Sequence, residues 1–390
     1  MAVNDTHEQF NKYSDEWRKA RDASEGQRAV HGAGTRYLPK LSGQDTDEYD
    51  AYLKRALFMD ATSRTIRGLK GMIFRKPAVI EFGGMETFLE DVTMDGSNIT
   101  DFAGIITDEL LEVGRVGVLV DFPRVEQDGM TAAEAASLGS RPFLKTYTAE
   151  SIINWREGKS LEQVRLKEMV EVQKDEFDFE VQEQIRVLDF SEGAYRQRIF
   201  RKQKTEKGVL EWVQLDEVFP VINGRRMDFI PFVFFSPDGL CSDVVKPPLS
   251  GLVNVNLSHY RTTADLEHGA HFTGLPTPVI TGHTPTEDDD SFRIGSATAW
   301  LLPDPAASAF YMEFTGQGLS SLKELAESKQ VMMAALGAQM LTPENRRNEA
   351  VETAAIRHMG ENSILSDISQ TISRGLNQAI EFASMWLAAV

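Results

Sequence analysis

The chain has 390 residues, 42% of them apolar, with 59 acidic and 41 basic side chains and a net charge of −18. That apolar content excludes a disordered chain, and the length allows roughly two or three domains or one elongated chain of several lobes. The acid excess speaks against a tight nucleic-acid binder, which neutralises phosphates with Lys and Arg. It does not speak against a wall past which DNA slides, although plain solubility is the simpler account of it.

No apolar run approaches the ~18 residues of a membrane span, the best being Phe229–Phe235. The first ten residues have neither the basic stretch nor the apolar core of a signal peptide. Cys241 is the only cysteine, so no intrachain disulfide forms, which fits synthesis in a reducing cytoplasm.

The first predicted helix starts at a capping-box pattern of Thr6 and Gln9, followed by Phe10, Tyr13 and Trp17 on one side. A loop passes through Gly32, Gly34 and Pro39. Tyr49, Tyr52, Leu53, Ala56 and Leu57 then form one apolar stripe, and the spacing predicts a helix running to about Lys70. Residues 78–82 are a short strand candidate. A helix from about Thr100 buries Phe102, Ile105, Ile106 and Leu110 and ends at Gly114, and the apolar run Val116–Phe122 is read as a buried strand.

Residues 143–236 are mostly β in pattern. The strand candidates are Phe143–Tyr147, Gln163–Gln173, Gln182–Phe190, Tyr195–Lys202, Leu210–Leu215 and Pro231–Ser236, with turns at Gly158, Gly193, Gly208 and Asn223-Gly224. This portion is an α/β lobe with an antiparallel sheet. After Pro247-Pro248 come a helix over Leu249–Phe272, short apolar pieces with an acidic run through residue 316, and a second helix from a Ser321/Glu324 capping box to Leu341. Thr342-Pro343 breaks it. A last helix is expected from about Ala350 to the chain end, with Ile364, Ile368, Ile372, Leu376 and Ile380 recurring every four residues. Its length is on the order of 60 Å. Its apolar, uncapped final residues leave two expectations: a docked partner, or a chain that continues.

No arrangement of side chains points to catalysis. His259, Asp265, Glu267, His268 and His271 are near one another in sequence, but the spacing is not that of a zinc helix. Polar contacts to a neighbouring helix or subunit are the simpler reading. Gly114-Arg-Val-Gly117 precedes a strand, whereas a phosphate-cradling loop follows one. The sequence contains neither a P-loop nor a nucleophile elbow. Met332, Met333 and Met340 sit among alanines and are read as packing residues. Arg346-Arg347 has a solvated turn as its plain reading, and the acidic run Glu287-Asp288-Asp289-Asp290 a solvated loop.

Several strings carry a family resemblance. They are Tyr37-Leu-Pro-Lys-Leu41; Tyr49 with Tyr52-Leu-Lys-Arg-Ala56; Arg64-Thr-Ile-Arg-Gly-Leu-Lys-Gly-Met-Ile-Phe-Arg-Lys-Pro77; Gly114-Arg-Val-Gly-Val-Leu-Val-Asp-Phe-Pro123; Tyr147 with Ile152-Ile-Asn-Trp155; and Pro247-Pro-Leu. Together with the element order they resemble the portal proteins of tailed bacteriophages, over about residues 35–387. The resemblance implies an α+β, portal-like subunit. Its parts are a wing (residues 1–247), a first stem helix (248–272), a clip (273–316), a second stem helix (317–341), a tunnel loop (342–349) and a long helix toward a crown (350–390). Residues 350–390 are too few for a large crown, so the crown is expected to be short, missing or beyond Val390.

The resemblance further implies a non-enzymatic ring, usually of twelve subunits, at the capsid vertex of the virion and assembled in the host cytoplasm. Double-stranded DNA passes through it without sequence preference. The implied partners are the large terminase subunit, head–tail adaptor or tail proteins, the major capsid protein and scaffold. No cofactor and no membrane are expected. Asn345, Arg346 and Arg347 are the residues expected to face DNA. Glu287, Asp288, Asp289 and Asp290 are those expected to dock a partner at the clip. Two rivals stand beside this reading: another virion ring, adaptor or scaffold protein, and a metal-dependent hydrolase built on His259, Asp265, His268 and His271.

Overall fold

The computed structural model describes residues 2–81, 83–123, 141–204, 208–273, 277–282, 306–312, 317–339 and 364–387. The acidic run 287–290 and the loop residues 345–347 lie outside the described residues. The architecture is mixed α+β. The chain divides into two compact units, one of Met1–Ala29, Asp60–Asn254 and Met333–Val390, the other of Val30–Met59 and Val255–Met332.

The first unit opens with α1 (Glu8–Glu25), which buries Trp17, Ala20 and Ala23. Its N-cap is His7, whose ring nitrogen accepts from Gln9 N at 3.2 Å, in place of the expected Thr6. The His7 ring stacks on Trp155 at 3.9 Å, which fixes it where the helix starts. Arg21 ties α1 to α6 (Ile99–Glu112), with contacts of 2.6 Å to both Glu109 and Glu112, and reaches Glu150 at 3.0 Å. α4 (Ala61–Ile73) and the short α5 (Glu86–Glu90) complete the helices of this part of the chain.

The expected strand over 78–82 is not formed in the described residues. Residues 78–81 have no partner strand, and Val79 is 85% exposed.

β1 (Val116–Asp121) is the middle of an antiparallel sheet ordered β10-β1-β2, with β2 at Phe143–Thr148 and β10 at Phe232–Phe235. A five-stranded meander holds β3 (Ile152–Glu157), β4 (Leu161–Gln173), β5 (Phe179–Ser191), β6 (Ala194–Lys204) and β7 (Leu210–Val218) in sequence order. β3 was not foreseen as a strand. β8 (Val221–Ile222) and β9 (Arg225–Arg226) pair across Asn223 and Gly224, whose φ values of 52° and 75° are the left-handed pair a tight two-residue hairpin needs.

α9 (Ile364–Leu387) packs on β10, β1, α6 and α4. The four-residue spacing is buried as expected at Ile368, Ile372, Leu376 and Ile380, while residues 350–363 and 388–390 lie outside the described residues. Because a four-residue step drifts around a helix of 3.6 residues per turn, Leu365, Thr371, Gly375, Ala379, Ala383 and Trp386 widen the buried face.

In the second unit, α3 (Thr46–Arg55) starts with a capping box between Asp45 and Glu48. The single helix expected to run from Tyr49 to Lys70 is interrupted. Ala56 turns extended at ψ 129°, and α4 begins afresh at Ala61. Tertiary contacts account for the break: Phe58 lies edge-on to Tyr260, and Met59 gives its carbonyl to Asn256 Nδ2 at 2.9 Å. α2 (Gln27–Gly32) precedes this segment in the chain, and α7 (Ser250–Thr273), β11 (Thr277–Thr281), β12 (Ser308–Met312) and α8 (Gln317–Gln339) follow; α2 from Val30, α7 from Val255 and α8 up to Met332 belong to the second unit. α8 starts four residues ahead of the expected capping box, which leaves Ser321 inside the helix.

Candidate functional site

The chain's most distinctive arrangement is two long helices with a strand pair inserted between them. Pro247 and Pro248 lead into α7, where Ser250 N donates to Pro247 O at 3.0 Å. A proline ahead of the first turn costs no helical hydrogen bond. At 24 and 23 residues, α7 and α8 are each about 35 Å long.

On α8 the covered or half-covered side chains are those of Leu319, Leu322, Ala326, Lys329, Met333 and Leu336, with Gly337 half-covered beside them. They are spaced alternately three and four residues apart, which is the stripe a helix presents to one neighbouring helix. Gly269 of α7 makes close approach possible, since a Cβ there would lie 2.7 Å from Leu319 Cδ2. Further along, the contact is polar. Lys329 Nζ donates to Thr262 Oγ1 at 2.5 Å and to Ser258 O at 3.2 Å, and Gln330 Nε2 lies 3.3 Å from His259 Nε2.

Asp265 and His268 of α7 hold α3. The Tyr52 hydroxyl donates to Asp265 at 2.5 Å, and Arg55 meets His268 Nδ1 at 3.2 Å. Burial and Lys329 lower the pKa of His259; burial, Arg55 and His271 lower that of His268. Both imidazoles are thereby biased toward the neutral form, and they serve as packing partners. Among the described residues no group of three or more His, Cys, Asp or Glu side chains is placed to hold a metal ion.

Outside this stripe α8 is open. Leu325 and Met332, beside the stripe, are 47% and 50% exposed, and Val331, on the far side, is 71% exposed. β11 and β12 pair antiparallel with each other and with no other strand among the described residues, and Phe310 and Tyr311 on β12 are exposed. Exposed apolar side chains on a helix, next in the chain to an open-edged strand pair, are features suited to contact with another protein surface. The acidic run 287–290 belongs to the chain between β11 and β12, and Asn345, Arg346 and Arg347 to the chain between α8 and α9.

A second constellation escaped the sequence reading. Glu168 of β4 is buried and accepts hydrogen bonds from Lys145, Tyr147, Gln184 and Arg186. Burial pushes its pKa up, but Arg186 and Lys145 outweigh that and bring it down to about 2. The signal was present in the strand's alternation: Val164, Leu166, Glu168 and Val170 share one face, so a carboxylate interrupts an apolar row.

Residues 248–387, from the second proline ahead of α7 to the end of α9, match the family described as "Domain of unknown function (DUF4055)". No curated protein matches the chain. Solved structures align with it, among them two from gene transfer agent particles. One is from the "Neck of empty GTA particle computed with C6 symmetry", at 10% identity over 93% of this chain and 87% of that one, with a TM-score of 0.39. The other is from the "Virion of native gene transfer agent (GTA) particle", at 9% identity over 90% and 86%, also with a TM-score of 0.39. Likenesses this distant carry no weight for what the chain does.

Proposed function

We propose that this chain is one subunit of the portal ring of a tailed bacteriophage, a conduit through which double-stranded DNA enters and leaves the capsid. The observation that carries the reading is the order of elements: an α/β lobe, then helix α7, an inserted strand pair, helix α8, and finally α9 returning into the lobe's core. In the portal reading these are wing, stem, clip, stem and the helix beyond the tunnel loop. The resemblance of the strings between Tyr37 and Leu249 supports the same assignment.

In this reading the acidic wall repels the phosphate backbone, so DNA moves without adhering. The ring provides no chemistry of its own. ATP is hydrolysed by the terminase docked on it, and the chain needs no nucleotide site. Twelve copies form the ring, the clip binds terminase and then the head–tail adaptors, and the wing meets the capsid and scaffold.

Negative-stain imaging of the purified protein, with mass measurement of the assembled particle, tests the proposal. A closed ring with a central channel, found again at one vertex of the virion, is the expected result. A ring located in the tail, or particles lacking a channel, would move the chain to the adaptor or scaffold class.

A further inference from the structure

A cavity of about 920 Å³ lies in the lobe beside the five-stranded sheet. Its floor is polar and its walls are largely apolar. On the floor, hydrogen bonds run from Arg201 to Gln184, from Gln184 to Glu168, from Arg186 to Glu168 and Gln197, and from Gln197 to Asp121. Arg186 is thus spent on Glu168, Gln197 and Asp121, the last at 3.6 Å.

Arg201 differs. Among the described residues its one side-chain hydrogen bond runs from Nε to Gln184 Oε1 at 2.9 Å, and it has no carboxylate partner. That bond orients the guanidinium and leaves its two terminal nitrogens uncommitted, an arrangement suited to gripping a carboxylate end-on with two parallel hydrogen bonds. Asp216, the acid on the neighbouring strand, has an interaction of its own.

The wall is long and continuous. Every residue from Leu215 to Asn223 lines it except Glu217, which pairs with Arg196 at 2.7 Å. Phe122, Phe143 and Trp386 face the cavity as well, with Phe122 and Trp386 stacked at 6.5 Å. Its size is at the upper end for compact ligands, and a wall made of a single running segment suits an extended chain laid beside it.

We propose that this cavity docks an extended polypeptide segment of a partner protein, gripping one acidic side chain of the segment with Arg201 and seating apolar side chains against Phe122, Phe143 and Trp386. The inference does not depend on the ring reading. A virion wall protein and an unrelated binding protein could both use such a site.

The test is an array of N-acetylated octapeptides, probed with the full chain, in which Glu, Gln and Lys are compared at a central position among apolar neighbours. Peptides with Glu are expected to be retained. In solution the best of them should change the tryptophan fluorescence, and Trp386→Phe should remove that change. Arg201→Gln should weaken the Glu peptide about ten-fold or more and abolish its advantage over the Gln peptide. Arg201→Lys should keep part of that advantage. Val221→Asp places a like charge on an exposed part of the wall and should weaken the same peptide, with the circular dichroism of the parent retained. The proposal is overturned if no octapeptide binds more tightly than about 1 mM, if Arg201→Gln and Val221→Asp both bind the Glu peptide like the parent, or if a short DNA duplex is held where no peptide is.

Discussion

Gly375 of α9 faces Phe235 of β10 so closely that a Cβ on the glycine would lie 2.2 Å from the phenyl Cε1 and 2.9 Å from Leu240 Cδ2. Phe235 is fully buried and has nowhere to withdraw. Gly375→Ala therefore forces α9 off the sheet. The helix-propensity gain is about 1 kcal/mol, and the overpacking cost, typically about 1–3 kcal/mol, should exceed it at so short a contact. The midpoint of urea unfolding should fall. An unchanged or higher midpoint would mean that α9 does not dock through this position.

Glu168 contributes acid-dependent stability. Its folded pKa of about 2 is below the ordinary carboxylate value, so its contribution is complete above about pH 4.5 and is lost as pH falls toward 2. The depression corresponds to on the order of 3 kcal/mol for this nearly inaccessible side chain. Glu168→Gln should lower stability at neutral pH and flatten the loss between pH 4.5 and 2, as followed by urea titration at several pH values. Parallel curves for variant and parent would remove Glu168 from the explanation.

The outward side chains of α8 test assembly. If copies surround one channel, a neighbour covers Leu325, Val331 and Met332. Val331, 71% exposed, can become Glu with little effect on the isolated fold. Val331→Glu should give folded subunits that fail to close into rings, seen by light scattering and imaging. Rings of normal yield would place the subunit contact elsewhere.

Arg346 and Arg347 are expected to touch the DNA, with Asn345 as a hydrogen-bond donor. Repeated around a ring, two cations per subunit form a collar whose single contacts are weak and salt-sensitive. Replacing both arginines by Ala in an infectious background should leave the rings intact and impair packaging or retention of the genome. Wild-type packaging from well-formed mutant rings would falsify the role, and broken rings would show instead that these arginines pair with Glu344, Glu349 or a neighbouring subunit.

The acidic run Glu287-Asp288-Asp289-Asp290 is expected to steer a basic docking face of terminase or adaptor. Changing all four residues to Ser should weaken docking more at low salt than at high salt, because screening shortens the reach of charge. Docking that is the same for parent and variant at every salt concentration would make the run a solvated loop.

By itself the sequence determined the elements whose burial repeats locally. The rows in α6 and α9 follow the helical period, apart from Ile105 of α6, which is 43% exposed; the strand runs follow the two-residue period, and Asn223-Gly224 marks a hairpin because few other residues accept left-handed φ. The acid balance and the lack of a nucleotide-binding loop were equally legible. Tertiary structure decided what has no local signature. The chain breaks after Arg55 because Phe58 and Met59 are claimed by Tyr260 and Asn256 on a helix some two hundred residues later in sequence. β3 exists because β4 pairs with it, and Arg201 is oriented because Gln184 lies one strand away. On α8, periodicity marks more than one apolar row, and only tertiary packing determines that the row through Ala326 and Met333 is buried while Val331 faces out. A side chain's own chemistry states whether burial is favourable, but the surface that buries it comes from residues distant in the chain, so that choice is made only when the fold closes.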